Sequence, residues 1–268
     1  MKKISIIGCG TIGTAIGGYI EKKFKGKVGP VLLYDQDASC AQKLSSIITG
    51  SKIAKDMKDA IKNSDLIVEA ASASAAGDVL KGVIDAEKDA IFMSIGGLLG
   101  QESLLDEAEQ KGIKIMLPSG AVAGIDALKA AKIAGITSVR LTTRKPPKAL
   151  TGAPFILEKG IALDEIKEET VIFEGSASEA MKGFPKNINV SALISLAGLG
   201  PDATLVKIVV SPAYSKNTHE ITVESNAGNF LMRTENVPSP DNPKTSYLAS
   251  LAAMATIDGY FRNVRIGT

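Results

Sequence analysis

The chain has 268 residues, 45% hydrophobic and 22% charged, which allows one large or two modest domains with a real core and excludes a mainly disordered polymer. With 31 basic against 29 acidic residues, 4% aromatic content and no Trp, it lacks the charge footprint and stacking platforms of a nucleic-acid binder. Two cysteines, Cys9 and Cys40, and a single histidine exclude a structural zinc site and a disulfide framework, so no metal is expected and a reducing cytoplasm fits best.

The start, Met1-Lys2-Lys3 followed by Ile4-Ser5-Ile6-Ile7, is interrupted by Gly8 too early for a signal segment and reads as a mature strand. No run of about 18 uninterrupted apolar residues occurs, so no membrane span is expected. Short apolar, β-branched runs at 4–7, 31–34, 66–69, 90–94, 113–116 and 139–143 alternate with Ala/Leu/Lys-rich stretches. That rhythm predicts βαβ units in a parallel sheet covered on both faces. Arg144-Lys145-Pro146-Pro147 marks a change of texture, because consecutive prolines continue neither a helix nor a central strand.

Beyond it, strands are predicted at 171–174, 204–211, 219–224 and 230–237, with helices at 178–182 and 188–199. Asn226-Ala227-Gly228-Asn229 reads as the turn of an antiparallel hairpin, since Asn and Gly tolerate positive φ. After Pro238, Pro240 and Pro243, the stretch 245–260 sets Leu248, Leu251, Ala252 and Ala255 on one helical face. The fold class expected is α/β: an N-terminal Rossmann domain with a doubly wound parallel sheet over 1–120, and a C-terminal α+β domain with a mostly antiparallel sheet over 121–242. The first would bind a dinucleotide and the second carry the catalytic and substrate residues, while a helix within 243–260 packs back on the first.

Gly8-Cys9-Gly10-Thr11-Ile12-Gly13 is a G-x-G-x-x-G placed after a predicted strand and opening a predicted helix. Gly8 permits the tight turn, Gly10 lets backbone approach a pyrophosphate, and Gly13 allows close helix-to-strand packing. The first helical amides, from Thr11 and Ile12 onward, supply the positive end for the anion. Asp35 ends the second predicted strand 22 positions after Gly13, where a carboxylate accepts hydrogen bonds from ribose hydroxyls. This favours NAD, because a 2′-phosphate would meet a like charge with no Arg or Lys at Gln36 or Asp37. Lysines elsewhere leave NADP open.

His219 is the only histidine and sits at a loop-to-strand boundary, where a lone histidine is more often structural than catalytic. Two segments stand near it in interest. Pro118-Ser119-Gly120-Ala121-Val122-Ala123-Gly124 can bring backbone close to a nicotinamide, and Phe184-Pro185-Lys186-Asn187-Ile188-Asn189 sets a cation and two amides at a helix N-terminus. A flexible loop and a simply capped helix describe them equally well.

These residues carry a resemblance. Gly8 to Gly13, Ser119-Gly120-Ala121-Val122-Ala123-Gly124-Ile125-Asp126, Glu174-Gly175-Ser176-Ala177, Phe184-Pro185-Lys186-Asn187-Ile188-Asn189-Val190 and Asn217-Thr218-His219-Glu220-Ile221 together resemble the aspartate dehydrogenase family over essentially the whole length. The resemblance implies NAD- or NADP-dependent oxidation of L-aspartate to iminoaspartate, which hydrolyses to oxaloacetate and ammonia or feeds quinolinate and NAD biosynthesis. It implies His219 as the active-site residue, Ala123 and Asn189 as nicotinamide-cofactor positions, a homodimer, and a functional link to quinolinate synthase. An imidazole titrating near neutral pH would serve as acid and base for amine deprotonation and imine hydrolysis. Lys186 is expected to pair with a substrate carboxylate, and Asn187 or Asn189 to orient substrate or carboxamide. Competing expectations are a homoserine dehydrogenase or dihydrodipicolinate reductase of neighbouring architecture, and a non-catalytic NAD(P)H sensor; fold alone does not separate them.

Overall fold

The computed structural model describes residues 1–185, 188–240 and 242–267. Its contacts divide the chain into one unit of Met1–Pro118 with Ser250–Val264, and a second of Ser119–Ala249 with the chain from Arg265 onward.

The first unit runs β1 (Ile4–Ile7), α1 (Thr11–Phe24), β2 (Leu32–Tyr34), α2 (Ala38–Ser45), β3 (Lys52–Ile53), α3 (Met57–Lys62), β4 (Leu66–Glu69), α4 (Ala73–Asp85), β5 (Asp89–Phe92), α5 (Glu102–Gln110) and β6 (Ile115–Met116). The strands form one sheet in the order β3-β2-β1-β4-β5-β6, parallel throughout. Strand order reverses between β1 and β4, the place where open α/β sheets bind ligands beyond the carboxyl ends of their strands. Both faces are buried. Ile4, Ile6, Leu33, Leu66, Val68 and Ile91 pack on one side and Ile7, Ile67, Ala90 and Phe92 on the other, which is why these strands read as continuous apolar runs. The two-residue β3 escaped the sequence reading, because Lys52 and Ile53 are both exposed and show no pattern.

The second unit contains α6 (Ile125–Ala134), β7 (Ile136–Lys145), α7 (Pro154–Glu158), β8 (Thr170–Ser176), α8 (Ala177–Gly183), α9 (Ile188–Ala197), β9 (Thr204–Val210), β10 (Asn217–Ser225), β11 (Gly228–Asn236) and the short pair β12 (Pro238–Ser239) and β13 (Asn242–Ser246). Its main sheet has the order β11-β10-β7-β9-β8, antiparallel except where β7 pairs with β9. The run at 139–143 therefore belongs to this sheet, a correction to the βαβ rhythm that sequence carried to residue 145. Pro146 and Pro147 end the central strand of the second sheet and do not open a new unit. The expected hairpin is present, with Ser225 paired to Gly228 across the turn.

One face of this sheet carries Val139, Leu141, Thr143 and Lys145 from β7 and is buried, with Gly198 of the α9 end set between Val139 and Leu128 of α6. The other face is polar: Arg140 pairs with Glu174 at 2.6 Å, Lys207 with Glu174 at 3.4 Å and Arg144 with Glu220 at 3.4 Å. The alternation of β7 follows the covered side at Val139, Leu141, Thr143 and Lys145, while Thr142 on the polar face is buried as well.

A last helix, α10 (Tyr247–Phe261), returns Ala253 and Ile257 to the core around Phe24 and Ile20. Tyr19 donates to Asp258 at 2.7 Å, Lys23 pairs with the same carboxylate, and Tyr260 donates to Asp89 at 2.8 Å. Its buried line is Ser250, Ala253 and Ile257, whereas Leu248 and Leu251 are 39% and 40% exposed. The face that the spacing of Leu248, Leu251, Ala252 and Ala255 defines is therefore not the buried one. The helix is apolar nearly all round, so periodicity alone could not orient it. No helix among the described residues is long and apolar enough to cross a membrane.

Candidate active site

In the first unit, β1 ends at Gly8, whose φ of +94° and backbone contact with β4 admit no side chain: a Cβ there would lie 2.4 Å from the carbonyl carbon of Ala70. Gly13 is as constrained, since its Cβ would stand 2.0 Å from the Gly8 carbonyl oxygen. Gly10 differs. It is the N-cap of α1, makes no side-chain cap hydrogen bond, and a Cβ on it would meet nothing within 4 Å. Two glycines are thus required by the protein itself, while the third leaves an open approach to the helix N-terminus beside Thr11 and Ile12. That is the arrangement a dinucleotide pyrophosphate fits.

Asp35 braces the same loop. Its carboxylate accepts from the Cys9 N–H at 2.7 Å and the Asp37 N–H at 2.9 Å, leaving lone pairs for further donors. Cys9 is buried, and burial first and the Asp35 charge second push its thiol up to about 12, so it is an inert packing group. At the end of β4, Glu69 is fully buried and accepts from Ala71 N–H at 2.8 Å and Ser94 N–H at 2.9 Å. Burial raises its pKa above the usual carboxylate range. Sequence reasoning missed Glu69, although an acid closing an apolar strand was a visible signal.

In the second unit, His219 lies on β10 opposite Thr143 of β7, and its Nδ1 is 3.0 Å from the Thr143 hydroxyl. On the other side it faces Thr234 of β11, whose hydroxyl donates to the Ala121 carbonyl at 3.0 Å. Asn236 donates to that same carbonyl at 3.0 Å and accepts from Ser246 Oγ at 2.5 Å. The segment 119–124 is therefore no free loop; its midpoint is tied to the strand beside His219. Gly124, at φ +82°, starts α6 so close to Met232 that a Cβ would be 2.5 Å from that side chain. Ala123 is exposed on this segment, and Asn189 is exposed in the first turn of α9.

The buried end of the sheet also holds Lys145, two residues beyond Thr143 on the same face and 3% exposed. Burial lowers its ammonium from 10.5 to about 8. His219 is driven down to about 3, by burial first and by the Lys145 charge second. The imidazole is therefore neutral at ordinary pH and does not titrate near 7 as its unperturbed value led the sequence to expect. Thr143 and Lys145 went unrecognised in the sequence because β7 was read as part of the first sheet and Lys145 as part of a boundary.

The expected residues thus fall in two groups: Gly8, Gly10, Thr11, Ile12, Gly13 and Asp35 in the first unit, Ala123, Asn189 and His219 in the second. Lys186 and Asn187 lie outside the described residues. Among the described residues no group of three or more His, Cys, Asp or Glu is placed to hold a metal.

A parallel sheet in this order with a glycine turn after β1, joined in one chain to a mixed sheet bearing a fixed histidine, defines a pyridine-nucleotide-dependent oxidoreductase. Residues 8–118 match the family described as homoserine dehydrogenase, NAD binding domain, and residues 126–260 match aspartate dehydrogenase, C-terminal. Proteins named L-aspartate dehydrogenase from Methanosarcina mazei and Nitrosopumilus maritimus are 44% and 40% identical, each match covering 100% of both chains. The crystal structure of aspartate dehydrogenase from Thermotoga maritima is similar with a TM-score of 0.77 at 27% identity, again over 100% of both chains. The chain belongs to the aspartate dehydrogenase family.

Proposed function

We propose that this chain oxidises L-aspartate with NAD, and less readily with NADP, to iminoaspartate, which hydrolyses to oxaloacetate and ammonia or feeds quinolinate and NAD biosynthesis. Full-length kinship with proteins named L-aspartate dehydrogenase supports the substrate. The structural observation that supports the reading is the imidazole of His219, its Nδ1 held 3.0 Å from the Thr143 hydroxyl beside the anchored segment 119–124. A homodimer, a cytoplasmic setting and a functional link to quinolinate synthase belong to the same reading.

Residues 1–120, with the helix within 243–260, act as the dinucleotide domain, and residues 121–242 as the catalytic domain. The open N-terminus of α1 at Gly10 holds the pyrophosphate, and Asp35 accepts from the ribose hydroxyls. Ala123 and Asn189 serve the nicotinamide end. The bound nicotinamide supplies a two-electron hydride acceptor. His219 hydrogen-bonds the reacting nitrogen and orients the water that later attacks the imine, its ring fixed through Nδ1. Lys186 pairs with a substrate carboxylate, and Asn187 and Asn189 orient substrate.

The direct test mixes the purified chain with L-aspartate and NAD or NADP and follows absorbance of the reduced nicotinamide, with D-aspartate, L-glutamate and homoserine alongside. Oxidation of L-aspartate alone, with NAD giving the higher kcat/KM, is the expected result. Turnover of homoserine in preference to L-aspartate overturns the substrate reading.

A further inference from the structure

We infer that Thr143 is a positioning residue that sets the tautomer of His219: its hydroxyl donates to Nδ1, so the neutral ring carries its hydrogen on Nε2 and meets its ligand as a hydrogen-bond donor. What this does for turnover rests on the amino-acid oxidation proposed above. Three cross-strand pairs line one face of the β7–β10 ladder: Val139 with Val223, Leu141 with Ile221, and Thr143 with His219. The first two are apolar and buried. The third sets a hydroxyl against an imidazole, with Nδ1 3.0 Å from the Thr143 oxygen. On the other flank of β7, Thr143 pairs with Ile208 of β9, which is 4% exposed.

A neutral imidazole has one N–H and one lone pair in its plane, and a hydroxyl has one proton to donate and two lone pairs. The contact can therefore form in either direction, and the surroundings of Thr143 decide which. Leu141 and Ile208 offer no polar side-chain atom, and Lys145 carries an ammonium at neutral pH, which only donates. Among the described residues, Nδ1 is the one hydrogen-bond partner of the Thr143 hydroxyl. Were Nδ1 protonated, the hydroxyl proton would stand without an acceptor on a residue 7% exposed, a loss that folded chains avoid. With Nδ1 as acceptor, both groups are satisfied. Thr234, which faces His219 from β11, donates its hydroxyl to the Ala121 carbonyl at 3.0 Å. One threonine thus ties the segment 119–124, and the other orders the ring.

Nε2 has no hydrogen-bond partner among the described residues, and His219 is only partly buried. In this tautomer the in-plane lone pair belongs to Nδ1 and is engaged by Thr143, so Nε2 has none with which to take a proton from an ammonium. It can donate to an atom that carries a lone pair: the oxygen of a bound water, or a reacting nitrogen that is already neutral. His219 then works as a fixed donor and not as the base of the reaction. Thr143 acts through the ring, as the third member of a catalytic triad does when it holds an imidazole in one tautomer.

His219 is the sole histidine, so protein labelled with nitrogen-15 and purified without a histidine tag shows a single imidazole. In the cofactor-free chain at neutral pH, long-range proton–nitrogen correlations should give Nε2 the shift of a protonated ring nitrogen and Nδ1 that of a hydrogen-bonded acceptor. A protonated Nδ1 overturns the proposal, and this spectrum decides the tautomer even where a variant folds poorly. In Thr143→Val, which keeps the side-chain shape and suits a strand, the Nδ1 resonance should leave its position, and in Thr143→Ser it should return. An Nδ1 resonance unmoved in Thr143→Val also overturns the proposal. On L-aspartate, Thr143→Val should lose about tenfold or more in kcat and Thr143→Ser recover most of it, with NADH affinity within about threefold throughout. Parental kcat in Thr143→Val, or equal losses in both variants, overturns the positioning role with the substrate reading intact. Absence of L-aspartate turnover in the unaltered chain overturns the substrate reading, while the tautomer is still decided by the spectrum.

Discussion

In the first unit the candidate site is built by backbone at the end of a sheet buried on both faces; in the second it is built by side chains on the covered face of a sheet whose other face is polar. The glycine turn after β1 works through what is missing, since Gly8 and Gly13 have no room for a Cβ and Gly10 leaves room for a ligand. The second candidate site is built from groups that are costly to bury, the His219 imidazole and the Lys145 ammonium on adjacent strands. A backbone site is robust to most substitutions outside its glycines. A buried side-chain site trades stability for reactivity, so its residues should separate folding from turnover when altered.

The largest expected effect tests the second site. His219→Ala should lower kcat on L-aspartate by roughly 10²–10³-fold, the loss for a positioned hydrogen-bonding group, with NADH affinity retained in a fluorescence titration. Near-parental turnover would leave the second region without a chemical role and break the contrast.

The glycines sharpen it from the other side. Gly13→Ala forces a methyl group against the Gly8 carbonyl and should cost on the order of 3 kcal/mol in a denaturant titration. Gly10→Ala meets nothing in the protein and should unfold at nearly the parental denaturant concentration, yet lose about tenfold or more in NADH affinity. Equal stability losses at both positions would show that the turn, and not the ligand, explains Gly10.

Lys145→Met should stabilise the fold at neutral pH by about 1–3 kcal/mol. The sign follows from the lowered pKa of Lys145. Between about 8 and 10.5 the unfolded chain binds a proton that the folded chain does not. The parent is therefore penalised most below pH 8 and regains stability as pH rises towards 10.5. The advantage of Lys145→Met, measured by thermal melts across pH, should shrink over that window; a constant advantage would trace to packing alone.

Asp35 gives the smallest shift and joins the two themes, because its side chain braces a backbone site. Asp35→Asn should reduce the NAD over NADP ratio of kcat/KM by about tenfold, worth about 1.4 kcal/mol. Asp35→Ala should also loosen the turn, seen as faster amide exchange at Cys9. An unchanged cofactor ratio in both variants would confine Asp35 to bracing.

The strands β1, β4 and β5 and the glycine turn were legible because a sheet buried on both faces leaves unbroken apolar runs, and because a φ near +90° at Gly8 demands glycine in the sequence itself. His219 could be noticed as the sole histidine, but its protonation could not be read, since that depends on burial and on the charge of a residue 74 positions away. The orientation of α10 was equally hidden, because a helix apolar on most sides carries no face in its periodicity.

By itself, then, the sequence determined the parallel sheet, the glycine turn with Asp35 after β2, and the hairpin, all of them local in the chain and enforced by backbone sterics or solvent exposure. Tertiary structure alone decided that β7 joins the second sheet, that Thr143 fixes His219, and that Lys145 and His219 lie on one face of it. Those facts depend on strand register between distant segments, where a slip of one residue would send every side chain to the opposite face.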